Sequence, residues 1–135
     1  MSYWLVKTEP TTYSFDDLLR DKQTVWDGVR NNLALRHLRE MQKGDAVMIY
    51  HSGEDKSIVG LAEVIRGPYA DPKQNDEKLV VVDLKAKRRL AQAVTLGRIK
   101  SDERFAQFAL VRMPRLSVMP VPEDVWGELL AMAER

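Results

Sequence analysis

Two strand-like runs joined by a four-residue turn restrict the fold of this chain more than any other feature. Residues 45–52 are DAVMIYHS and residues 57–66 are SIVGLAEVIR, with GEDK between them. Apolar and β-branched residues on both sides of a glycine-containing turn are typical of a β-hairpin. Since the strands of a hairpin run antiparallel, the pattern predicts a sheet with antiparallel neighbours.

The remaining sequence predicts a mixture of strands and helices. Ser14 is suited to cap the start of a helix, and Gly44 is suited to follow the end of the next one. Strands and helices do not alternate as they do in a doubly wound sheet, so we expect an α+β fold with a curved sheet or small barrel decorated by helices. Further strands are predicted at 3–7, 78–90 and 115–121, and helices at 15–22, from Asn31 or Asn32 to about 42, at 96–101 and after Pro122.

Length and composition indicate an ordinary globular protein. The 135 residues are enough for one domain, 1–135, and the formal net charge is only +1. The chain has no cysteine, no long apolar run and no start typical of a signal peptide. We therefore expect a cytoplasmic protein without membrane segments, and because nothing demands an oligomer, a monomer.

Several kinds of active site are disfavoured by what the sequence lacks. The only histidines are His37 and His51, and no cysteine joins them, so we expect no metal. Glycine-rich phosphate loops are absent, so no nucleotide cofactor is expected. His51 and Ser52 are adjacent, and adjacent residues of a strand point to opposite faces, which argues against a serine nucleophile with a histidine base.

The segment TVWDGVRNN, residues 24–32, is the best candidate for a binding site. Trp26 offers a face on which a planar base can stack, and Gly28 lets the backbone approach a ligand. Arg30 suits an anion or a base edge, and Asn31 both donates and accepts hydrogen bonds. The same residues also suit a core tryptophan, a plain turn, a surface arginine and a helix cap.

A basic run without acidic residues lies in the second half of the chain. It is either a surface that follows a nucleic-acid backbone or a solvated strand end with a basic loop. Its members are Lys85, Lys87, Arg88, Arg89, Arg98 and Lys100.

Four blocks of the sequence resemble the EVE domain family, in the order expected for that family. They are YWLVKTEPTTYSFDDL, VWDGVRNNLALRHLREMQKGDAVMIYHS, IVGLAEV and RLSVMPV. The resemblance implies a PUA-like fold of about five to six strands with peripheral helices, related to the YTH and ASCH domains. It also implies a cavity for a modified nucleobase, a modified cytosine being favoured, in DNA or RNA.

The resemblance assigns binding roles to residues within these blocks. The expected site residues are Lys7, Glu9, Pro10, Tyr13, Trp26, Gly28, Val29, Arg30, Asn31, Tyr50, His51, Ser52, Arg115 and Ser117.

Our first interpretation is a non-enzymatic reader that takes one unstacked base into a pocket at the start of the second helix. We expect five of its side chains, Trp26, Arg30, Asn31, Tyr50 and Ser117, to meet in one cavity. The expected roles are stacking by Trp26 and Tyr50, edge reading by Asn31 and Ser117, phosphate or pocket contacts by Arg30 and Arg115, and a charge pair between Lys7 and Glu9.

Two other functions compete with this interpretation. One is an enzyme acting on a modified nucleoside or a small amide-bearing substrate, for which Glu9 or His51 would be the general base. The other is a protein-interaction module whose pocket no longer binds a ligand.

Overall fold

In the computed structural model, which describes residues 1–134, six strands form one mixed sheet surrounded by five α-helices. The strands lie side by side in the order β2-β5-β4-β3-β1-β6. The elements are β1 Tyr3–Thr8, α1 Phe15–Asp21, β2 Gln23–Trp26, α2 Asn32–Glu40, β3 Ala46–His51, β4 Ser57–Ala70, β5 Val80–Thr95, α3 Leu96–Lys100, a 3₁₀ turn at Glu103–Phe105, α4 Ala109–Arg112, β6 Val118–Pro120 and α5 Glu123–Ala133.

The predicted hairpin is confirmed at the centre of the sheet. β3 and β4 pair antiparallel, with Ala46 opposite Glu63 and His51 opposite Ser57. β4 and β5 are the longest strands and form the next antiparallel pair, interrupted by several register shifts. Such irregularities bend strands and increase their twist, so these two strands curve the sheet.

The first strand, for which no partner was predicted, runs parallel to β3. Tyr3 lies opposite Ala46 and Thr8 opposite His51. A parallel pair needs a long crossover connection, and α1, β2 and α2 together provide it. The connection therefore places the segment 24–32 beside the end of β1.

The α+β prediction is confirmed, with a sheet that remains open. β2 and β6 are its two edges, and no ladder joins them within residues 1–134. β2 was not predicted; it pairs antiparallel with β5, placing Trp26 opposite Val82. The strand predicted at 115–121 is shorter, because only Val118–Pro120 pairs regularly with β1.

The helix starts follow the predicted capping residues. Ser14 Oγ accepts from the Asp17 N–H at 3.1 Å, and Asp17 Oδ2 accepts from the Ser14 N–H at 2.9 Å. Asn31 Oδ1 accepts from the Ala34 N–H at 3.0 Å. These bonds satisfy backbone donors that a helix start leaves free, so the caps fix where α1 and α2 begin.

Close packing joins α1 to the middle of the sheet at a glycine. Phe15 is fully buried, and a Cβ on Gly60 of β4 would lie 2.3 Å from Phe15 Cζ. No side chain fits there unless the ring moves. Gly60 thus permits the contact that seats α1 on the sheet.

Candidate functional site

A cleft of about 520 Å³ opens where the end of β1, the strand β2 and the approach to α2 meet. We call it the first cleft. It lies in the size range of small-molecule sites in proteins, roughly 300–1,000 Å³. It is lined by Lys7, Thr8, Glu9, Thr12, Tyr13, Thr24, Val25, Trp26, Asp27, Gly28, Val29, Arg30 and Ser117.

Aromatic and aliphatic side chains form one wall of the first cleft. Trp26 is 7% exposed, and the Tyr13 ring meets it edge-on, with 6.4 Å between ring centroids and 83° between the planes. The Tyr13 hydroxyl donates to Asp21 Oδ2 at 2.8 Å, which restrains the ring. Burial raises the pKa of Tyr13, so its hydroxyl stays protonated near neutral pH. Val25 and Val29 also line the cleft, so its lining is partly aromatic and partly aliphatic.

Hydrogen-bonding groups occupy the rest of the first cleft. Carboxylates of Glu9 and Asp27 supply acceptors, and the hydroxyls of Thr12, Thr24 and Ser117 can both donate and accept. A ligand with donors and acceptors on one edge can therefore be bound in this cleft.

Glu9 is positioned by hydrogen bonds from Thr11 and by contact with the β3–β4 turn. Its Oε1 accepts from the N–H and the Oγ1 of Thr11, at 3.2 and 3.1 Å. Its Oε2 lies against the β3–β4 turn, where a Cβ on Gly53 would come within 2.4 Å of it. Gly53 has a φ of +76°, so both its backbone conformation and the carboxylate favour glycine.

A second cleft, also of about 520 Å³, lies on the other side of Glu9. The two clefts share four lining residues, Lys7, Thr8, Glu9 and Ser117. The others of the second cleft are Tyr50, Ser52, Gly53, Lys56, Leu96, Lys100, Leu110, Pro114 and Arg115.

Lys7 lies in the wall between the clefts and is held by two contacts. Its Nζ donates to the Pro114 carbonyl at 2.8 Å and lies 5.4 Å from the centroid of the Tyr50 ring. Burial lowers the pKa of this half-buried ammonium group. The expected charge pair is not present: Lys7 and Glu9 are both described, and they form no ion pair.

The structure divides the predicted site residues among four groups. Of the five side chains expected in one cavity, three line the first cleft (Trp26, Arg30 and Ser117), whereas Tyr50 lines the second cleft and Asn31 lines neither. The first cleft alone contains Tyr13, Trp26, Gly28, Val29 and Arg30; the second alone contains Tyr50, Ser52 and Arg115; Lys7, Glu9 and Ser117 line both; Pro10, Asn31 and His51 line neither.

His51 and Asn31 have structural contacts that explain their positions. His51 is 7% exposed, and its Nε2 accepts from the Phe15 N–H at 2.9 Å. With Nε2 as the acceptor, Nδ1 carries the proton and donates to Asp55 Oδ2, 3.0 Å away. Both ring nitrogens are thus occupied, and the Asn31 side-chain oxygen is occupied by its helix cap.

The basic run of residues 85–100 does not form one surface beside the clefts. Lys87 pairs with Glu63 at 3.1 Å, and Arg88 pairs with Glu134 at 2.9 Å. Arg89 pairs with Asp16 of α1. Lys85 and Arg98 line neither cleft, and Lys100 alone of the six lines the second.

Sequence reasoning missed several residues that line the clefts. Thr12, Thr24 and Asp27 contribute to the first cleft, and Lys56 and Pro114 to the second. Asp27 and Thr24 lie within the segment already singled out, so its composition contained the signal. Lys56 carried no comparable signal, because it lies in a turn whose position over the cleft depends on the tertiary fold.

Two negative findings apply to residues 1–134. No group of three or more potential ligands is arranged to hold a metal ion. No helix in this range is both long and apolar enough to cross a membrane.

The EVE domain family matches residues 2–132. The chain belongs to this family. The EVE domain of this chain is similar to the NMR structure of Rpa0253 from Rhodopseudomonas palustris, with 42% sequence identity and a TM-score of 0.93, over 98% of this chain and 93% of that one.

Two further solved structures are similar to this chain. Human THYN1 protein, whose crystal structure is in complex with 5-methylcytosine containing DNA, is 27% identical with a TM-score of 0.92, covering 100% of this chain and 99% of that one. The ASCH protein from Zymomonas mobilis has a TM-score of 0.63 at 13% identity, covering 97% and 95%, a likeness of fold alone. It agrees with the PUA-like architecture that the sequence resemblance implies.

Proposed function

We propose that this EVE domain is a non-enzymatic reader that binds a single modified base of a nucleic acid, 5-methylcytosine being favoured, in the first cleft. The observation that carries the proposal is the aromatic wall of that cleft, in a chain whose human relative was crystallised with 5-methylcytosine DNA. A base held there would have left its stack, which costs a few kcal/mol.

The apolar wall would recover part of that cost. Stacking of a base on an aromatic side chain contributes about 1–3 kcal/mol. Val25 is 43% exposed, and Val29 is also part of the lining. These aliphatic groups offer a surface for the 5-methyl group, which cytosine lacks.

The polar groups would read the edge of the base. Cytosine presents an exocyclic amine, which donates, and carboxylates accept from it. Glu9 and Asp27 are the carboxylates of the first cleft, and Ser117 is a hydroxyl that can donate to the carbonyl of the base. Thymine has the same methyl group but an acceptor in place of the amine, so the carboxylates would disfavour it.

For the enzyme alternative, Glu9 and His51 are the two candidate general bases. His51 uses both ring nitrogens in buried hydrogen bonds and lines neither cleft. Glu9 is the remaining candidate.

A panel of oligonucleotides that differ at one position tests the proposal. The position carries cytosine, 5-methylcytosine or thymine, in single- and double-stranded DNA and with an RNA counterpart, at several salt concentrations. We expect 5-methylcytosine to bind more tightly than both cytosine and thymine, with a ratio that salt changes little, because base contacts release few counterions. Equal affinities for all three bases at every salt concentration would exclude a base reader.

A further inference from the structure

The second cleft is strongly cationic. Its lining includes four basic side chains, Lys7, Lys56, Lys100 and Arg115, against the single carboxylate of Glu9. A concave surface with this balance attracts anions, because cations close together raise the local potential.

The charges of the second cleft are not neutralised by acidic partners. Within residues 1–134, Lys56, Lys100 and Arg115 form no ion pair. In the basic run, by contrast, Lys87 and Arg88 are paired with glutamates. Lys85, Arg98 and Lys100 of that run are also unpaired within residues 1–134, but of these three only Lys100 lines the second cleft.

The fold brings these cations together from separate parts of the chain. Lys56 lies in the β3–β4 turn, and its carbonyl accepts from the Leu96 N–H at 2.8 Å, which holds the turn against the start of α3. Lys100 is the last residue of α3, and Arg115 lies between α4 and β6. Three segments distant in sequence therefore place basic side chains around one concavity.

The second cleft is also continuous with the first. Glu9, Lys7 and Ser117 line both, so a ligand in the first cleft lies directly beside the cationic surface. We propose that the second cleft binds the phosphodiester backbone of the same strand whose base occupies the first cleft. This proposal rests on the proposed function, because the strand is the one whose base occupies the first cleft, but its cations Lys56, Lys100 and Arg115 line the second cleft alone.

The test removes two cations that belong to the second cleft alone. Lys56→Gln combined with Lys100→Gln keeps the aliphatic stems and deletes two charges at exposed positions. Arg36→Gln combined with Lys43→Gln is the control, since both side chains are exposed, lie outside both clefts and remove the same formal charge. Thermal melts establish that all proteins are folded.

For single-stranded oligonucleotides, each lost phosphate contact should reduce the slope of log affinity against log salt by about 0.7. The cleft variant lacks two cations, so the magnitude of its slope should fall by about 1.4. Methylated and unmethylated strands should lose the same factor, and binding of the free nucleoside 5-methyl-2′-deoxycytidine should not change. The control variant should keep the wild-type slope.

The outcomes separate this proposal from the proposed function. An unchanged slope in the cleft variant, or equal flattening in the control, would overturn the backbone site. A loss restricted to methylated strands would overturn it as well, because it would assign the second cleft to base recognition. If the wild-type protein shows no preference for the modified base while the cleft variant alone flattens the slope, the backbone site stands and the base reader fails.

Discussion

Replacing Trp26 with alanine tests the base-stacking wall, and the structure shows that two effects must be separated. Trp26 is 7% exposed and belongs to the core, so its truncation should lower the free energy of unfolding by about 3–5 kcal/mol. The lost stack should weaken binding by about 1–3 kcal/mol, which corresponds to about 5- to 150-fold in Kd. From a typical stability of about 5–15 kcal/mol, the first loss leaves about 0–12 kcal/mol, so part of the variant can be unfolded when binding is measured.

Trp126 provides a matched control. It is also 7% exposed, its ring centroid lies 4.7 Å from that of Tyr3, and it lines neither cleft. Trp126→Ala should therefore cost a similar amount of stability and leave the affinity of the folded protein unchanged. Trp26→Phe, which retains an aromatic face, should recover part of both losses.

Urea unfolding gives the stability of each variant, and fluorescence anisotropy with a labelled 5-methylcytosine oligonucleotide gives its affinity. Both are measured at low temperature, where the variants are folded, and the affinity is corrected for the unfolded fraction. If the two alanine variants lose affinity equally, destabilisation explains the loss and the stacking argument fails. It also fails if folded Trp26→Ala binds like the wild type.

Three further changes test other parts of the structure. Gly60→Ala places a Cβ 2.3 Å from the buried Phe15 ring and should cost about 3 kcal/mol of stability or more in a urea titration; an added Phe15→Leu should reduce that cost, whereas simple additivity would contradict the predicted clash. Gly53→Ala crowds Glu9 Oε2 and should weaken oligonucleotide binding as Glu9→Ala does, with little further loss when the two are combined. Burial, together with a hydrogen bond to a carboxylate, raises the pKa of Tyr69 to about 12 from 10.0. The unfolded chain therefore loses this proton first as the pH rises above 10, so stability should fall between those values, and Tyr69→Phe should reduce the fall.

Local sequence signals predicted the local structure well. Ser14 and Asn31 fix the starts of two helices through short-range hydrogen bonds, which depend on only a few neighbouring residues. The β3–β4 hairpin was equally visible, since its two strands are separated by only a short turn. Family resemblance supplied the PUA-like architecture, which these local patterns alone did not specify.

Long-range pairing could not be predicted in the same way. The parallel alignment of β1 with β3 depends on how the intervening crossover packs, and β2 is a short edge strand defined by its pairing with β5. Consequently Tyr50, on β3, was expected beside Trp26, on β2, although they line different clefts. His51 illustrates the same limit, because its hydrogen bond to the Phe15 N–H joins residues 36 positions apart.

The separation of the two clefts has a consequence for recognition if both proposals hold. Contacts in the first cleft depend on base shape and hydrogen bonding, whereas those in the second depend on phosphate charge and weaken as salt rises. Affinity and specificity would then respond to different residues and conditions, with Glu9 and Asp27 affecting the preference among bases and Lys56 the strength of binding to any strand. The first cleft contains two carboxylates, Glu9 and Asp27, against two cations, Lys7 and Arg30, whereas the second contains the carboxylate of Glu9 against four cations. A phosphate would therefore be favoured in the second cleft, which would help to direct the base into the first.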